Sequence, residues 1–176
     1  MTFIFIGMPG SGKSNMSRTA ARKLKLRQIE CDRLIEQKAG KKLQDIINEE
    51  GIEYFRALEE ETLCSIDADN AIISTGGSAI YYPKAMEHFK NIGKVIYLYA
   101  SLPCILERIG DFSRRGVVMR EGQTMADLYE ERCRLYEQYA DATVNCDGRE
   151  YQKFHSRIEQ TLRAFMLYSN ENQGVD

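Results

Sequence analysis

The sequence has no close pair of cysteines, only two histidines and no excess of either charge. Its five cysteines are an odd number without a CxxC spacing, which argues against a disulfide framework and favours reduced thiols. With 24 basic and 26 acidic residues, the formal charge is -2, so nothing in the composition favours nucleic acid or a membrane surface. Neither His88 nor His155 has a partner for a triad or a metal site. We therefore expect a cytoplasmic monomer without nucleic-acid or membrane partners.

What the sequence does contain is an alternation of short apolar runs and helical patterns. The first run, 2–6, is too short for a signal peptide or a membrane span and predicts a buried parallel strand. This alternation predicts one α/β domain over 1–176, with a five-stranded parallel sheet between layers of helices. Further strands are predicted at 27–31, 70–74, 94–100 and 142–145, and helices at 14–26, 32–38, 43–50, 52–67, 84–91, 102–109, 125–139 and 151–167.

Two segments do not fit the alternation. They are 32–67, with several short helical patterns, and 110–123, which is charged, contains glycine and has no periodicity. In an open α/β sheet the ligand binds outside the carboxyl ends of the strands. We therefore interpret the first segment as a substrate-binding insert and the second as a mobile lid. The polar tail, 169–176, is expected to be frayed.

Residues 7–14 read Gly-Met-Pro-Gly-Ser-Gly-Lys-Ser and fit the pattern GxxxxGK[ST] without a mismatch. Small residues such as Gly10, Ser11 and Gly12 let backbone N–H groups face phosphates at a helix N-terminus. Lys13 would reach the β- and γ-phosphates, and the Ser14 hydroxyl would hold Mg²⁺. A glycine turn with a chance lysine would not have a strand before it and a helix after it. The loop predicts ATP and Mg²⁺ binding but not the phosphate acceptor.

Further clusters follow in a fixed order, and with the phosphate loop they resemble the shikimate kinase family. That family has a DxD pair, an FRxxE sequence, a TGGG turn, an RPLL lid and an RxPLY helix. The resemblance runs from the first strand to about Asp141 and implies a three-layer P-loop kinase fold and a carboxylate-bearing acceptor, shikimate. The matching segments are Glu30-Cys31-Asp32, Phe55-Arg56-Ala57-Leu58-Glu59, Thr75-Gly76-Gly77-Ser78, Arg115-Gly116-Val117-Val118 and Arg132-Cys133-Arg134-Leu135-Tyr136.

The resemblance assigns the acidic pair to the acceptor hydroxyl and to magnesium. Asp32 matches the second acid, which in the family contacts a substrate hydroxyl and is the candidate base. It could also cap the helix that follows, and the two roles are compatible. Glu30 replaces the first acid, keeps its charge for Mg²⁺ and reaches one methylene further.

Two arginines match the family's contacts to the substrate carboxylate, Arg56 and Arg132. The planar guanidinium suits such a contact, although either arginine could pair with a local glutamate instead. Glu59 lies on the same helical face as Arg56 and could hold its guanidinium, or the two could form an ordinary surface pair.

The glycine turn would bring backbone N–H groups to the substrate at Gly76 and Gly77. Ser78 replaces the third glycine. A serine is tolerable if this position contributes only a backbone N–H group, but the pocket must differ if the position needs a positive φ. The Ser78 hydroxyl group could also add a contact of its own. Tyr81 and Tyr82 follow directly, and of two interpretations, a pocket wall and core packing, we favour the core.

In the lid, Arg115 would close over the transferring phosphate, and Arg108 would lie beside the adenine or the phosphates. Arg114 and Arg120 are competing candidates, and a solvated run of charges is the ordinary alternative. Gly116 replaces the lid proline, which softens the backbone.

Three hypotheses follow. The first is ATP-dependent phosphorylation of shikimate. The second is phosphorylation of another small hydroxy acid or polyol, because the departures from the family pattern fall near the acceptor or the lid; they are Glu30, Ser78, Gly116 and Arg134. The third is a nucleotide-binding regulator without catalysis. Such a protein would be expected to have lost Lys13, Ser14 or Asp32, and all three residues are present.

Overall fold

The fold is given by a computed structural model, which describes residues 1–110 and 119–172. Within these ranges the chain forms a five-stranded sheet in which all neighbouring strands are parallel. The order across the sheet is β2-β3-β1-β4-β5, which confirms the predicted α/β fold. The strands are β1 (Thr2–Ile6), β2 (Arg27–Glu30), β3 (Ala71–Ser74), β4 (Gly93–Tyr99) and β5 (Ala142–Asn145).

The helices lie close to their predicted positions. They are α1 (Lys13–Leu24), α2 (Cys31–Ala39), α3 (Leu43–Glu50), α4 (Ile52–Cys64), α5 (Pro83–Ile92), α6 (Leu102–Ile109), α7 (Met125–Tyr139) and α8 (Tyr151–Asn172). A 3₁₀ turn at Ala79–Tyr81 was not predicted. Helix α8 runs beyond its predicted end at 167, so the first part of the tail that we expected to be frayed is helical.

The central strand β1 shows how the sequence sets three layers. All five of its residues are buried, as expected for a parallel strand covered on both faces. Because successive side chains point to opposite faces, Phe3 and Phe5 pack in a cluster with residues of α1 and α8. Ile4 and Ile6 pack on the other face in a cluster with residues of α4, α5 and α7.

The predicted insert consists of α2, α3 and α4 and has a small apolar core of its own. Ile35, Ile46, Phe55 and Leu58 are buried together there, one or two from each helix. This packing fixes α4 at the carboxyl edge of the sheet, and with it Glu59. Of the predicted lid, 111–118 lie outside the described residues. None of the helices in the described ranges is both long enough and apolar enough to cross a membrane.

Candidate active site

Three neighbouring strands, β2, β3 and β1, end at one edge of the sheet, and a polar segment follows each of them. The phosphate loop follows β1, Asp32 lies two residues after the end of β2, and the Gly76-Gly77 turn follows β3. Because these ends meet, residues from all three segments line one cleft of about 730 Å³. A cleft at this edge is where open α/β sheets bind their ligands.

The loop 7–14 turns tightly into the N-terminus of α1. Gly12 has a φ of 97°, a left-handed conformation that glycine adopts without strain. Gly10, Gly12, Lys13 and Ser14 line the cleft, whereas Ser11 is buried. The free N–H groups and the dipole of the helix start therefore face the cleft, which makes this end an anion site.

Lys13 is held beneath the loop by the loop's own carbonyl groups. Its Nζ donates to the carbonyl oxygens of Gly7 at 2.7 Å and Met8 at 2.9 Å. Burial lowers the pKa of Lys13 from 10.5 to about 8, although the nearby Asp32 carboxylate opposes this shift. An anion bound in the loop would favour the charged ammonium group and raise this pKa again.

Asp32 lies in the first turn of α2 and faces the cleft. The N-cap of α2 is Glu30, so the alternative that Asp32 caps the helix is wrong. Desolvation by the surrounding protein raises the pKa of Asp32, and the Lys13 ammonium group opposes that rise. A carboxylate in this environment, open to the cleft, is suited to accept a proton from a bound hydroxyl group.

Glu30 lies beside the phosphate loop but is not among the residues that line the cleft. Its Oε1 accepts a hydrogen bond from Gln28 at 2.8 Å, and Gln28 also contacts the Ser14 carbonyl oxygen at 3.4 Å. The two oxygens of Glu30 pair with Arg18 at 3.3 Å and Arg33 at 3.2 Å. Its charge is thus already compensated, and its magnesium role stays a prediction.

The Gly76-Gly77 turn is closely approached by charged side chains from three helices. A Cβ atom on Gly76 would lie 3.0 Å from Glu59 Oε1 and 3.3 Å from Asp32 Oδ1. On Gly77 it would lie 2.9 Å from Arg132 Nη1. Any side chain at these two positions would displace a charged group, so glycine is required here for space rather than for a positive φ.

Ser78 adopts a φ of -87°, so the replacement of the third glycine imposes no backbone strain. Its Oγ donates to both oxygens of Glu59, at 2.8 and 2.9 Å. Tyr82 donates its hydroxyl to Glu59 Oε2 at 2.7 Å. Glu59 is only 1% exposed, and burial raises its pKa while the two hydroxyl groups oppose that rise. The interpretations of Glu59 as a holder of Arg56 and as a surface pair are both wrong.

The two predicted carboxylate contacts differ sharply. Arg132 is 3% exposed, lines the cleft and has its guanidinium 5.4 Å from the Tyr81 ring centre. Within the described ranges its Nε has no hydrogen-bond partner. The Arg56 side chain is 48% exposed and pairs with Glu53 at 2.7 Å. The alternative of a local glutamate partner is therefore correct for Arg56 in this structure.

Arg108 joins the phosphate loop to the segment between β5 and α8. Its guanidinium donates to the carbonyl oxygens of Cys146 at 2.7 Å and Gly148 at 2.6 Å, and to that of Gly10 at 3.4 Å. The same group lies 5.5 Å from the ring centre of Tyr151. Arg108 and Tyr151 both line the cleft, at the end that is formed by the phosphate loop.

The predicted lid arginines are only partly accounted for. Arg115, Arg114 and Gly116 lie outside the described residues. Arg120 lines the cleft, and its Nη2 contacts both carboxylate oxygens of Glu131 at 2.7 Å. Arg120 is therefore already paired, which makes it a weaker candidate for the transferring phosphate.

Arg134, which replaces the proline of the RxPLY pattern, points away from the cleft. Its side chain is 76% exposed and pairs with Glu130 one turn earlier, at 2.6 Å. We expected this departure near the acceptor or the lid: the acceptor is wrong, and the lid stays a prediction because 111–118 lie outside the described residues.

Tyrosines are the part of the site to which the sequence analysis gave a wrong role or no role. Tyr81 is 37% exposed and lines the cleft, so its assignment to the core is wrong, whereas Tyr82 is buried. The buried Tyr136 donates its hydroxyl to the Gly77 carbonyl oxygen at 2.7 Å. Its position four residues after Arg132 puts it on the same helical face, and that spacing is a signal that could have identified it.

The parallel sheet, the phosphate loop and the acceptor side of the cleft together define a P-loop kinase of small molecules. The family model "Shikimate kinase" matches residues 9–163. The chain belongs to the shikimate kinase family.

Relatives and solved structures agree with this family. A shikimate kinase of Persephonella marina is 33% identical over 159 residues, covering 90% of this chain and 96% of the relative. One of Bacillus anthracis is 34% identical over 164 residues, covering 92% and 99%. The structure of a shikimate kinase from Acinetobacter baumannii in complex with shikimate superposes with a TM-score of 0.82, at 27% identity and 93% coverage of both chains.

Proposed function

We propose that the protein transfers the γ-phosphate of ATP to a ring hydroxyl of shikimate, giving shikimate 3-phosphate and ADP. The curated relatives are named shikimate kinase, and one structural neighbour is described as a complex with shikimate. Lys13, Ser14 and Asp32 are all present and line the cleft, which favours an active kinase over a nucleotide-binding regulator.

The observation that carries the choice of acceptor is the state of Arg132. A buried guanidinium group without a directly paired carboxylate is costly, and the ion pairs among the described residues leave Arg132 out. It faces an open cleft beside the Gly76-Gly77 turn. A carboxylate on the acceptor would supply the direct partner that Arg132 lacks among the described residues, and a neutral sugar would not. Arg56 could add a second contact by leaving Glu53, because its side chain is half exposed.

The transfer needs positioning and charge neutralisation more than covalent help. The hydroxyl oxygen of the acceptor forms a bond to the γ-phosphorus while the bond from that phosphorus to the bridging oxygen breaks. Asp32 accepts the hydroxyl proton, and ADP leaves with the electron pair of the broken bond. Lys13 donates to the phosphates in place of the loop carbonyls that it contacts in this structure.

The residues at the start of α1 are suited to hold Mg²⁺. Ser14 is exposed to the cleft, and Mg²⁺ commonly uses one or two protein oxygens together with phosphate oxygens and water. The residues present thus fit the ion, with the Ser14 hydroxyl as its ligand. Bound there, Mg²⁺ would neutralise charge on the β- and γ-phosphates.

The remaining roles complete this proposal. Gly10, Ser11 and Gly12 present backbone N–H groups to the phosphates. Arg108 lies beside the adenine or the phosphates, and Arg115 acts on the transferring phosphate. The protein works as a monomer in the cytoplasm.

The proposal is tested by measuring ADP release with shikimate and with a panel of hydroxy acids and sugars. We expect turnover that depends on shikimate, with shikimate 3-phosphate as the product by ³¹P NMR. Activity on another acid without activity on shikimate would replace the acceptor in this proposal. Nucleotide binding without any turnover would favour a regulator.

A further inference from the structure

Glu59 is the one buried carboxylate among the residues that the structure describes. Burial of an unpaired carboxylate is unfavourable unless hydrogen bonds compensate it. Here the compensation comes from two neutral hydroxyl groups, those of Ser78 and Tyr82, within 2.7 to 2.9 Å. No arginine or lysine of the described ranges forms a direct ion pair with Glu59. The charge on Glu59 is therefore held in place but is not directly neutralised.

The location of this charge links it to the acceptor site. A Cβ atom on Gly76 would lie 3.0 Å from Glu59 Oε1, and a Cβ atom on Gly77 would lie 2.9 Å from Arg132 Nη1. Consecutive Cα atoms are about 3.8 Å apart, so the two opposite charges flank one short segment of backbone. At such a range inside a protein, opposite charges attract without touching, and the Arg132 charge does act to lower the pKa of Glu59.

We propose that Ser78 and Tyr82 are positioning residues of the acceptor site, which hold the Glu59 carboxylate as the fixed counter-charge of Arg132. Both residues line the cleft, and the role proposed for them is exerted through Glu59, to which both donate. The inference rests on the proposed function, because it concerns the site for the acceptor carboxylate. It also gives the serine in the third position of the glycine turn a task that a glycine could not perform.

Loss of either hydroxyl group would change the ionisation of Glu59. Burial raises the pKa of this carboxyl group most strongly, and Asp32 of α2 adds to the rise, while Arg132 of α7 opposes it. The thiol of Cys31, also on α2, is affected by the same carboxylate. With a hydroxyl donor removed, the pKa of Glu59 rises further. Below its pKa, Glu59 is protonated and no longer provides the counter-charge that positions Arg132. In a variant with a raised pKa, acceptor binding is therefore lost at a higher pH than in wild type.

The test uses Ser78→Ala and Tyr82→Phe in the full chain, with shikimate and ATP as substrates. We expect the KM for shikimate to rise about tenfold in each variant, since each loses one hydrogen bond to a charged group. The kcat and the KM for ATP should stay within about twofold. The acid limb of the pH profile of kcat/KM for shikimate should move to higher pH. Ser78→Thr, which keeps the hydroxyl group, should restore both properties.

Ser65→Ala is the matched control. Ser65 donates its hydroxyl to the Thr62 carbonyl oxygen at 2.8 Å, just after α4 and away from the cleft-lining residues. This variant should lose a hydrogen bond of the same length, to a neutral acceptor, and some thermal stability, with the wild-type KM and pH profile. Equal kinetic changes in Ser65→Ala and Ser78→Ala would show a general loss of stability and would overturn the positioning role.

Failure of this inference is distinguishable from failure of the proposed function. A wild-type KM and pH profile in both Ser78→Ala and Tyr82→Phe would overturn the inference and leave shikimate turnover intact. If the wild-type protein does not phosphorylate shikimate, the titration of Glu59 still tests the inference. It is measured by ¹³C NMR of the Glu59 carboxyl carbon, and the Glu59→Gln variant assigns the signal. An upward shift of that titration in Ser78→Ala supports the inference, and an unchanged titration overturns it.

Discussion

The two sides of the cleft are built in different ways. The nucleotide side is one continuous loop, 7–14, that matches its pattern at every defined position and leads directly into α1. The acceptor side takes its residues from four places in the chain: Asp32 on α2, Glu59 on α4, the Gly76-Gly77 turn and Arg132 on α7. A local sequence is sufficient for phosphate binding, whereas recognition of the acceptor depends on the whole fold.

The two sides also differ in how their charged groups are surrounded. On the nucleotide side, Lys13 forms no ion pair within the described ranges, and its ammonium group donates to two loop carbonyl oxygens. Its charge is therefore available to bound phosphates. On the acceptor side, the carboxylates of Asp32 and Glu59 approach Gly76, and the guanidinium of Arg132 approaches Gly77. This mixed arrangement is what a substrate with both a carboxylate and a reactive hydroxyl group requires, and it is where a change of specificity would have to occur.

The largest effect that separates the two sides is expected at Asp32. Asp32→Asn removes the proton acceptor and keeps the size of the side chain, so kcat should fall about 10²- to 10⁴-fold with ATP binding preserved. Stopped-time product assays and nucleotide titration measure the two properties. Asp45→Asn, an exposed position on α3, is the control and should behave as wild type. Wild-type kcat in Asp32→Asn would contradict its assignment as the base.

The next effect compares the two arginines. Arg132→Ala should raise the KM for shikimate about 100-fold, because it removes a buried partner of the acceptor carboxylate. Arg56→Ala should raise it by less than about tenfold, because this exposed side chain must first leave Glu53. The reverse order in steady-state kinetics would show that Arg56 is the main contact.

A smaller effect is expected from the ionisation of Lys13 on the nucleotide side. Its pKa is lowered to about 8 in this structure, so part of the population is neutral near that pH, and bound phosphates would restore the charge. ATP binding should therefore take up protons near pH 8 and weaken as the pH rises further. Isothermal titration in two buffers with different ionisation enthalpies measures the uptake. Its absence in wild type, or its persistence in Lys13→Met, would contradict this account.

The smallest effect is expected at Arg134. Arg134→Ala breaks only an exposed pair with Glu130, and such pairs contribute little. The KM for shikimate and the kcat should each stay within about twofold of wild type. A large change in either constant would return this departure from the family pattern to the acceptor site.

The sequence was sufficient for the fold because its signals are local and agree with one another. The apolar runs of β1 and β3 are closed by Gly7 and Gly76, and the run of β4 follows Gly93. These runs predicted every strand, and the helical spacing between them predicted all eight helices in the described ranges. Helix boundaries were less accurate: α8 extends to Asn172, although its packed apolar residues end at Met166. Leu167 and Tyr168 are exposed, so no apolar spacing marks the last turn of this helix.

The site was predicted less completely than the fold, for a physical reason. A family pattern identifies Arg56, Glu59 and Arg132 as residues but does not specify their partners. The structure pairs Arg56 with Glu53 and joins Glu59 to Ser78 and Tyr82. The contacts of Glu59 link residues 19 and 23 positions apart, and they depend on the packing of α4 against the glycine turn, which no local spacing encodes. The Arg56–Glu53 pair is local, three residues apart, but the family pattern does not contain Glu53.

The most direct test of the central claim is the preference of the enzyme for a free carboxylate on its acceptor. The measurement is kcat/KM for shikimate and for its methyl ester, in wild type and in Arg132→Ala. We predict a preference for shikimate of about 100-fold or more in wild type and nearly equal values in the variant. Equal values for the two acceptors in wild type would contradict the claim that Arg132 recognises the acceptor by its carboxylate.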